Sequence, residues 1–351
     1  MSKGQTPLKL SVVIPTFGRA KILAHVLSAL SRQSYRSFNV IVVVKPSGDD
    51  TEKIVEEFKR FLDITTVIQK NGYIVDAYFL GVRHSTGDVV AFLDDDAIPS
   101  ENWVEETVNA FERYNVAAVT GDAFSAVLRK DGKIHILEEE ETPSTLSRTE
   151  YILFGRPLKG MEDYKNCITD SGLVYQRGSN AYSRKRGIVK ALPRGPSMAV
   201  SGKILRELEF PTDWILGCAW EMVLGWYLWK RDLRMIYDPD IKVFHLIHGR
   251  TASRDFLNPR TDLLWAVEAE LLLFYRLYFD EPQLSMTSKL VSDLARIAHS
   301  LKYLRTNPIY QIRKIEGILI ANIMGNKWLI SKMFGRQYSP LRDLEKLQRP
   351  R

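Results

Sequence analysis

Cysteine is scarce: the chain of 351 residues holds two, Cys167 and Cys218. They lie far apart with no paired-ligand spacing, so neither a disulfide scaffold nor a cysteine zinc site is suggested, and a reducing, cytoplasmic setting is expected. The opening residues, MSKGQTPLKL, contain no apolar core of the kind a signal peptide needs, so none is expected. There is no uncharged apolar run of about eighteen residues, so no segment is expected to span a membrane. Acidic residues are missing from Ser171 to Arg206, a stretch that carries Arg177, Arg184, Lys185, Arg186, Lys190, Arg194, Lys203 and Arg206. Such a segment either holds a phosphate or is a solvated loop that closes over a ligand. Apolar residues are not lacking. At 45% hydrophobic, the chain can bury one large domain, or a domain with an appendage.

What is present centres on Gly87-Asp88-Val89-Val90-Ala91-Phe92-Leu93-Asp94-Asp95-Asp96-Ala97-Ile98-Pro99. Val89 to Leu93 read as a short strand buried on both faces. Three carboxylates arrive where it ends. Folding alone does not ask for them, because like charges crowd one another unless a cation sits between them. A divalent metal removes that conflict, and Mg²⁺ in particular is held by one or two carboxylates plus substrate phosphates. The ends of strands in open α/β sheets are also where ligands bind. The plain alternative is a solvated acidic turn.

Strands are expected at Leu10–Ile14, Val40–Val44, 64–69 and Val116–Thr120, and helices at 20–32, Thr51–Phe61, 75–83 and Glu101–Tyr114. This alternation implies an α/β protein with a mostly parallel central sheet flanked by helices. It breaks down between about Phe124 and Pro193. Helix 101–114 puts Trp103, Val104, Val108 and Phe111 on one face.

The segments LSVVIPTFGRAKILAHVLSALSRQSY and GDVVAFLDDDAIPSENWVEETVNAF resemble the family 2 glycosyltransferases, inverting enzymes with the GT-A nucleotide-diphospho-sugar transferase fold. The resemblance covers roughly residues 8 to 250. It implies that Asp94 and Asp95 touch the nucleotide sugar and that Asp94 and Asp96 hold its metal, Mg²⁺ or Mn²⁺. It also brings Pro15, Thr16, Gly18 and Arg19 to the donor; exposed amides and an Arg at a helix N-terminus suit a diphosphate. Where the family reads Pro-Thr-Tyr-Asn-Arg, this chain has Phe17 and Gly18 and keeps Arg19. Where the family has an acid that reads the base, this chain has Val44-Lys45-Pro46-Ser47, and Lys45 cannot accept a hydrogen bond from a base N–H. Asp49-Asp50-Thr51 matches the following helix cap. Asp76, at the start of its helix, either reaches a ribose or base or only favours the helix dipole.

Further on, DWILGCAWEMVLGWYLWKRDLRMIYDPDIKVFH resembles the family segment around the catalytic acid pair. Glu221 matches the first acid, and Met222 stands where the second, often the general base, would be. Glu221 is then either the base or a partner for a Lys or Arg; Asp213 and Asp170 are other acids that could serve. Trp226 and Trp229 suit a core better than a sugar platform. By family position His245 is a metal ligand, with His248 a weaker candidate.

The expected organisation is a GT-A catalytic domain over 1–255 and a basic α-helical C-terminal appendage over 256–351. Residues 284–351 carry thirteen Lys/Arg and four Asp/Glu, a balance of +9, while the other 283 residues sum to −2. Such a tail suits an anionic surface, and helices over 288–304 and 309–334 mix Lys and Arg with Ile, Leu, Tyr and Trp as interfacial helices do. A solvated face or a homo-oligomer interface would give the same pattern. The stretch 262–279 is apolar but is interrupted by Glu268, Glu270 and Arg276, so it should not span a membrane. The reading is a metal-dependent transferase that moves a sugar from a nucleotide-diphospho-sugar to a glycan or lipid-linked acceptor, peripheral on the cytoplasmic membrane face. Nucleic acid is not an expected partner. The alternatives are a sugar nucleotidyltransferase, for which PTFGR is a poor phosphate loop, and a catalytically degenerate module that binds membrane or nucleic acid.

Overall fold

The computed structural model describes residues 7–129, 131–137, 147–159, 166–176, 186–189, 195–208, 220–247 and 281–340, with 267, 270 and 343. In chain order the elements are β1 (Leu10–Thr16), α1 (Ala20–Ser31), β2 (Phe38–Val44), α2 (Thr51–Phe58), β3 (Ile64–Ile68), α3 (Ile74–His84), β4 (Val89–Phe92), β5 (Ala97–Pro99), α4 (Trp103–Tyr114), β6 (Ala118–Leu128), β7 (Ile134–Ile136) and α5 (Arg148–Phe154). There follow β8 (Asn166–Ile168), β9 (Val174–Gln176), β10 (Gly187–Val189), β11 (Met198–Ser201), α6 (Gly202–Glu207), α7 (Trp220–Lys230), β12 (Met235–Leu246), α8 (Met286–Lys302) and α9 (Pro308–Met333). The chain forms two compact units. One comprises residues 1–140, 178–210 and 224–248; the other comprises 141–177, 211–223 and 249–351.

The first unit is built on one sheet, in the order β10-β12-β6-β11-β4-β1-β2-β3, with β5 added to β12 and β7 to β6. The β3-β2-β1-β4 side is parallel, as the strand–helix alternation predicts, with Leu10 opposite Phe38 on one side and Val89 on the other. Beyond β4 the sheet becomes mixed: β11 runs antiparallel to both β4 and β6, while β12 runs parallel to β6. All seven residues of β1 and of β2 are buried; they are apolar except for Thr16 and for Ser11 and Asn39, which pair with each other, Ser11 Oγ donating to Asn39 Oδ1 (2.8 Å). Leu23, Val26, Leu27 and Leu30 of α1, and Trp103, Val104, Val108 and Phe111 of α4, close over the sheet in a single core.

Two local features position the ends of the strands. Gly81 lets α3 approach β1 closely: a Cβ there would sit 2.3 Å from Val13 Cγ1. Gln33, fully buried, donates to Ser100 O (2.7 Å) and accepts from Val104 N (2.9 Å), so the end of α1 caps the start of α4.

β6 runs well beyond the expected strand Val116–Thr120, and β12 is longer still, at twelve residues. Asp238-Pro239-Asp240, which reads as a turn, is instead a register shift inside β12, between Tyr237 and Lys242. Arg186 supports it, gripping the Asp238 carboxylate with two nitrogens (2.8 and 2.9 Å) and also pairing with Asp240. The Asp238 hydrogen bond is the largest cause holding the Arg186 pKa above its usual value. One residue of the all-basic stretch is thus a structural clamp.

In the second unit the β8–β9 hairpin and α5 accompany α8 and α9. Asp170, at the hairpin turn, accepts from Arg156 N (2.9 Å) and from Ser288 Oγ (3.1 Å). Three charged side chains are buried together and a fourth, Arg296, is partly buried beside them: Lys289 lies 2.7 Å from Asp293 and 3.4 Å from Glu270, and Arg296 pairs with both acids. Asn322 donates to Asp293 (3.1 Å), tying α9 to the cluster. Two cations balance two anions, so removing any one would leave an uncompensated buried charge, costing about 3–5 kcal/mol. Apart from Val267 and Glu270, residues 262–279 lie outside the described set.

Candidate active site at the end of the fourth strand

The triplet follows β4 after the single residue Leu93, and the next strand, β5, pairs with β12. His245 lies opposite Ala97 in that pairing, and Leu246 N donates to Asp96 O (2.8 Å). Residues 149 positions apart therefore meet: His245 Nε2 is 3.0 Å from Asp96 Oδ1 and 3.8 Å from Asp94 Oδ2. One ligand atom from each of Asp94, Asp96 and His245 lies within 4.8 Å of the other two. The β12 register shift re-aims the half of the strand that carries His245, a common use of bulges beside active sites.

Each carboxylate has a different environment. Asp96 is buried and divides its oxygens, Oδ1 to His245 and Oδ2 to Arg19 Nη1 (2.7 Å). Asp95 is buried and receives the same Nη1 at 2.7 Å. Burial pushes its pKa up to about 6, opposed by the Arg19 charge and supported by the neighbouring Asp96 charge. Asp94 keeps 31% of its side chain exposed and accepts a hydrogen bond from the buried Tyr78 hydroxyl. Its pKa is also raised, first by desolvation and then by Asp96, while His245, the Tyr78 bond and Arg19 pull it down. Arg19 is itself held charged by Asp95 and Asp96 against its burial.

This donor set fits a divalent cation. Two carboxylates and an imidazole are hard or borderline ligands suited to Mn²⁺ or Mg²⁺. The repulsion that raises the Asp94 pKa is the conflict such an ion would relieve.

Pro15 and Thr16 end β1, both buried. Gly18 follows with φ +67°, and Arg19 precedes α1. A left-handed residue is needed there, which Gly adopts freely and which Asn tolerates better than most other residues. The departure from Pro-Thr-Tyr-Asn-Arg at Gly18 therefore leaves the turn unchanged. Arg19 faces the carboxylates, and the Ala20 N–H goes to Asp49 Oδ2 (3.0 Å). Lys45 donates to Gly72 O (2.9 Å), its ammonium 5.9 Å from the centre of the half-exposed Phe17 ring. Asp76 accepts from Tyr73 N (2.7 Å) as half of a capping box, the helix-supporting role weighed against a ligand contact. Glu221 is half-buried in the first turn of α7, between Trp220 and Val223, which are buried. Trp226 is buried, 5.1 Å from Trp229 between ring centres, as expected of core. Asp213 and His248 lie outside the described residues. Tyr78 is the site residue that the sequence reading missed. Its only signal was a phenol on the apolar face of a helix, where a hydroxyl needs a partner.

Comparison with known proteins agrees with this architecture. The model of glycosyl transferase family 2 matches residues 11–179. The chondroitin synthase of Escherichia coli is 43% identical over 99 residues, covering 27% of this chain and 14% of that protein. Glycosyltransferase AglE of Haloferax volcanii is 30% identical over 118 residues, covering 32% of this chain and 38% of that one. The chain thus spans well under half the length of these curated relatives. Among solved structures, the mannosyltransferase PcManGT from Pyrobaculum calidifontis, in complex with GDP-Man and Mn²⁺, superposes with a TM-score of 0.50 at 16% identity, covering 92% of this chain and 88% of that one. GalNAc-T7 with UDP, GalNAc and Mn²⁺ gives 0.53 at 13% identity, over 87% and 58%. At such identities the likeness carries the fold alone. Through the segment that runs from β1 past the Asp triplet, the chain resembles glycosyl transferase family 2, on a fold shared with GT-A enzymes.

Proposed function

We propose that this protein is a metal-dependent inverting glycosyltransferase that moves a sugar from a nucleotide-diphospho-sugar to an acceptor hydroxyl of a glycan or a lipid-linked glycan, on the cytoplasmic side of a membrane. The observation that carries the reading is the convergence of Asp94, Asp96 and His245 at the end of β4, with ligand atoms within 4.8 Å of one another. A divalent cation held there would act as a Lewis acid on the leaving diphosphate. Arg19 neutralises Asp95 and Asp96 and keeps the triplet ordered next to the charge that builds on the donor. Pro15, Thr16 and Gly18 shape the turn that presents Arg19, and Asp94 and Asp95 face the donor. Glu221 takes the proton of the acceptor hydroxyl, which attacks the anomeric carbon from the side opposite the leaving group. The solved neighbours hold GDP-Man with Mn²⁺ and UDP with Mn²⁺, which favours a donor of that class here. The intact triplet argues against a catalytically degenerate module.

The test pairs binding with turnover. Nucleotide diphosphates should raise the melting temperature of the full chain with Mn²⁺ or Mg²⁺ and much less with chelator, because a ligand bound only by the native state stabilises it. Asp96→Asn should remove that metal-dependent shift and the slow hydrolysis of nucleotide sugars. A metal-dependent shift and hydrolysis at wild-type level in Asp96→Asn would refute the assignment.

A further inference from the structure

In the second unit α8 buries polar groups and exposes apolar ones. In α8 the buried residues are Lys289, Ser292, Asp293 and Ser300, while Leu290, Leu294 and Leu301 are exposed. The ionic cluster with Glu270 and Arg296 accounts for the inward polar face. In α9 the buried face is Gly317, Ile318, Ala321, Met324, Gly325 and Trp328. At about 100° per residue, Ile312, Leu319, Ile323 and Ile330 fall within about 40° of one another, roughly opposite that buried face. These four are 45%, 51%, 68% and 53% exposed, and Phe334, at 71%, continues the line. From Ile312 to Phe334 this is a stripe about 33 Å long, and an exposed apolar face of such extent marks an interaction surface.

Charge decides which partner fits. From Lys302 to Arg336 the chain carries seven Lys/Arg and a single acid, Glu316. A second copy would bring the same sign against this face. An anionic lipid surface complements both the stripe and the charge, since apolar side chains enter the acyl boundary while Lys and Arg meet the phosphates. We infer that the outward face of α9 is a docking surface for anionic phospholipid bilayers. The helix lies on the surface; among the described residues no helix is long and apolar enough to cross a membrane. The inference is independent of sugar transfer.

Co-sedimentation of the full chain with vesicles tests it. Phosphatidylcholine vesicles containing phosphatidylglycerol should bind the protein, pure phosphatidylcholine vesicles much less, and rising salt should weaken binding by screening. Ile323→Asp combined with Ile330→Asp should weaken binding more than about tenfold. Both positions are more than half exposed, so helicity and melting temperature should match wild type. Lack of binding to anionic vesicles, or equal binding by the double variant, would overturn the inference. So would a wild-type dimer that the double variant converts to monomer with vesicle binding unchanged, since a second copy would then be the occupant.

Discussion

Tyr78 on α3 donates its phenolic proton to Asp94 Oδ1, while Asp94 Oδ2 faces His245 at 3.8 Å. One carboxylate is thereby oriented from behind by a buried hydroxyl and from the front by an imidazole. Gly81, one turn along α3, makes this possible by letting the helix lie against Val13 of β1.

Tyr78→Phe is expected to keep the fold, since Tyr78 is 1% exposed and the ring stays packed edge-on against Phe92. What is lost is the orientation of Asp94. Groups that orient a metal ligand from the second layer are typically worth about 10–100-fold in affinity. We expect Mn²⁺ to bind about that much more weakly, read from free Mn²⁺ by electron paramagnetic resonance in the absence of donor. An unchanged dissociation constant would remove Tyr78 from the site.

The nucleotide base is expected to be read loosely. Lys45 has donors only and can serve a carbonyl oxygen, which uracil and guanine both present. Affinities for uridine and guanosine diphosphates should therefore differ by less than about a thousandfold, below the roughly 10⁴–10⁵-fold discrimination that a well-placed complementary group can reach. Lys45→Asp supplies an acceptor for a base N–H and should widen the difference. Calorimetry with both nucleotides decides it; a larger gap in the wild type means that another side chain reads the base.

Asp49 gives a pH signature away from the triplet. It accepts from Ala20 N, Ser47 Oγ, Thr51 N and Thr51 Oγ1, so it anchors the starts of both α1 and α2. Although burial raises it, the Thr51, Ala20 and Ser47 hydrogen bonds prevail and bring its pKa from 3.8 down to about 2. A carboxylate with a depressed folded-state pKa contributes stability above its unfolded pKa and loses it as pH falls through the folded value. Wild type should therefore be more stable than Asp49→Asn near pH 7, with the difference shrinking between about pH 4 and 2. Urea unfolding at a series of pH values measures it. A constant difference would mean that the carboxylate charge is not what matters.

The strand–helix alternation up to β6 is legible in the sequence because strands such as Val40–Val44 are buried on both faces, so no periodicity is needed to find them. The length of β12 was hidden by Asp238-Pro239-Asp240, whose charges are tolerated in a strand only because Arg186, 52 residues earlier, neutralises them. The triplet stood out through its unexplained charge. The meeting of Asp96 with His245 depends on long-range strand pairing, and only the resemblance to a known family anticipated it. In α9 the apolar residues occupy two opposite faces, so their spacing alone could not tell which one is inside.

Glu221 remains the sharpest test of the proposed chemistry. It occupies the first turn of α7, half-buried, with Trp220 and Val223 buried on either side. Met222, beside it, cannot take a proton, so the acid pair of the resemblance has at most one working member. Of the other acids considered, Asp170 already holds Arg156 N and Ser288 Oγ, which leaves it a structural role in its hairpin. Glu221→Gln keeps the side-chain shape and removes the proton acceptor. General-base help is typically worth about 10²–10⁴-fold. We expect kcat to fall by that order while the nucleotide dissociation constant stays near wild type. The loss should not respond to added metal, because Glu221 is not among the proposed ligands. If Glu221 instead pairs with a cation as part of the fold, the variant should melt at a lower temperature and keep its kcat per folded molecule. Measuring kcat, nucleotide affinity and melting temperature on the same preparation separates the two roles.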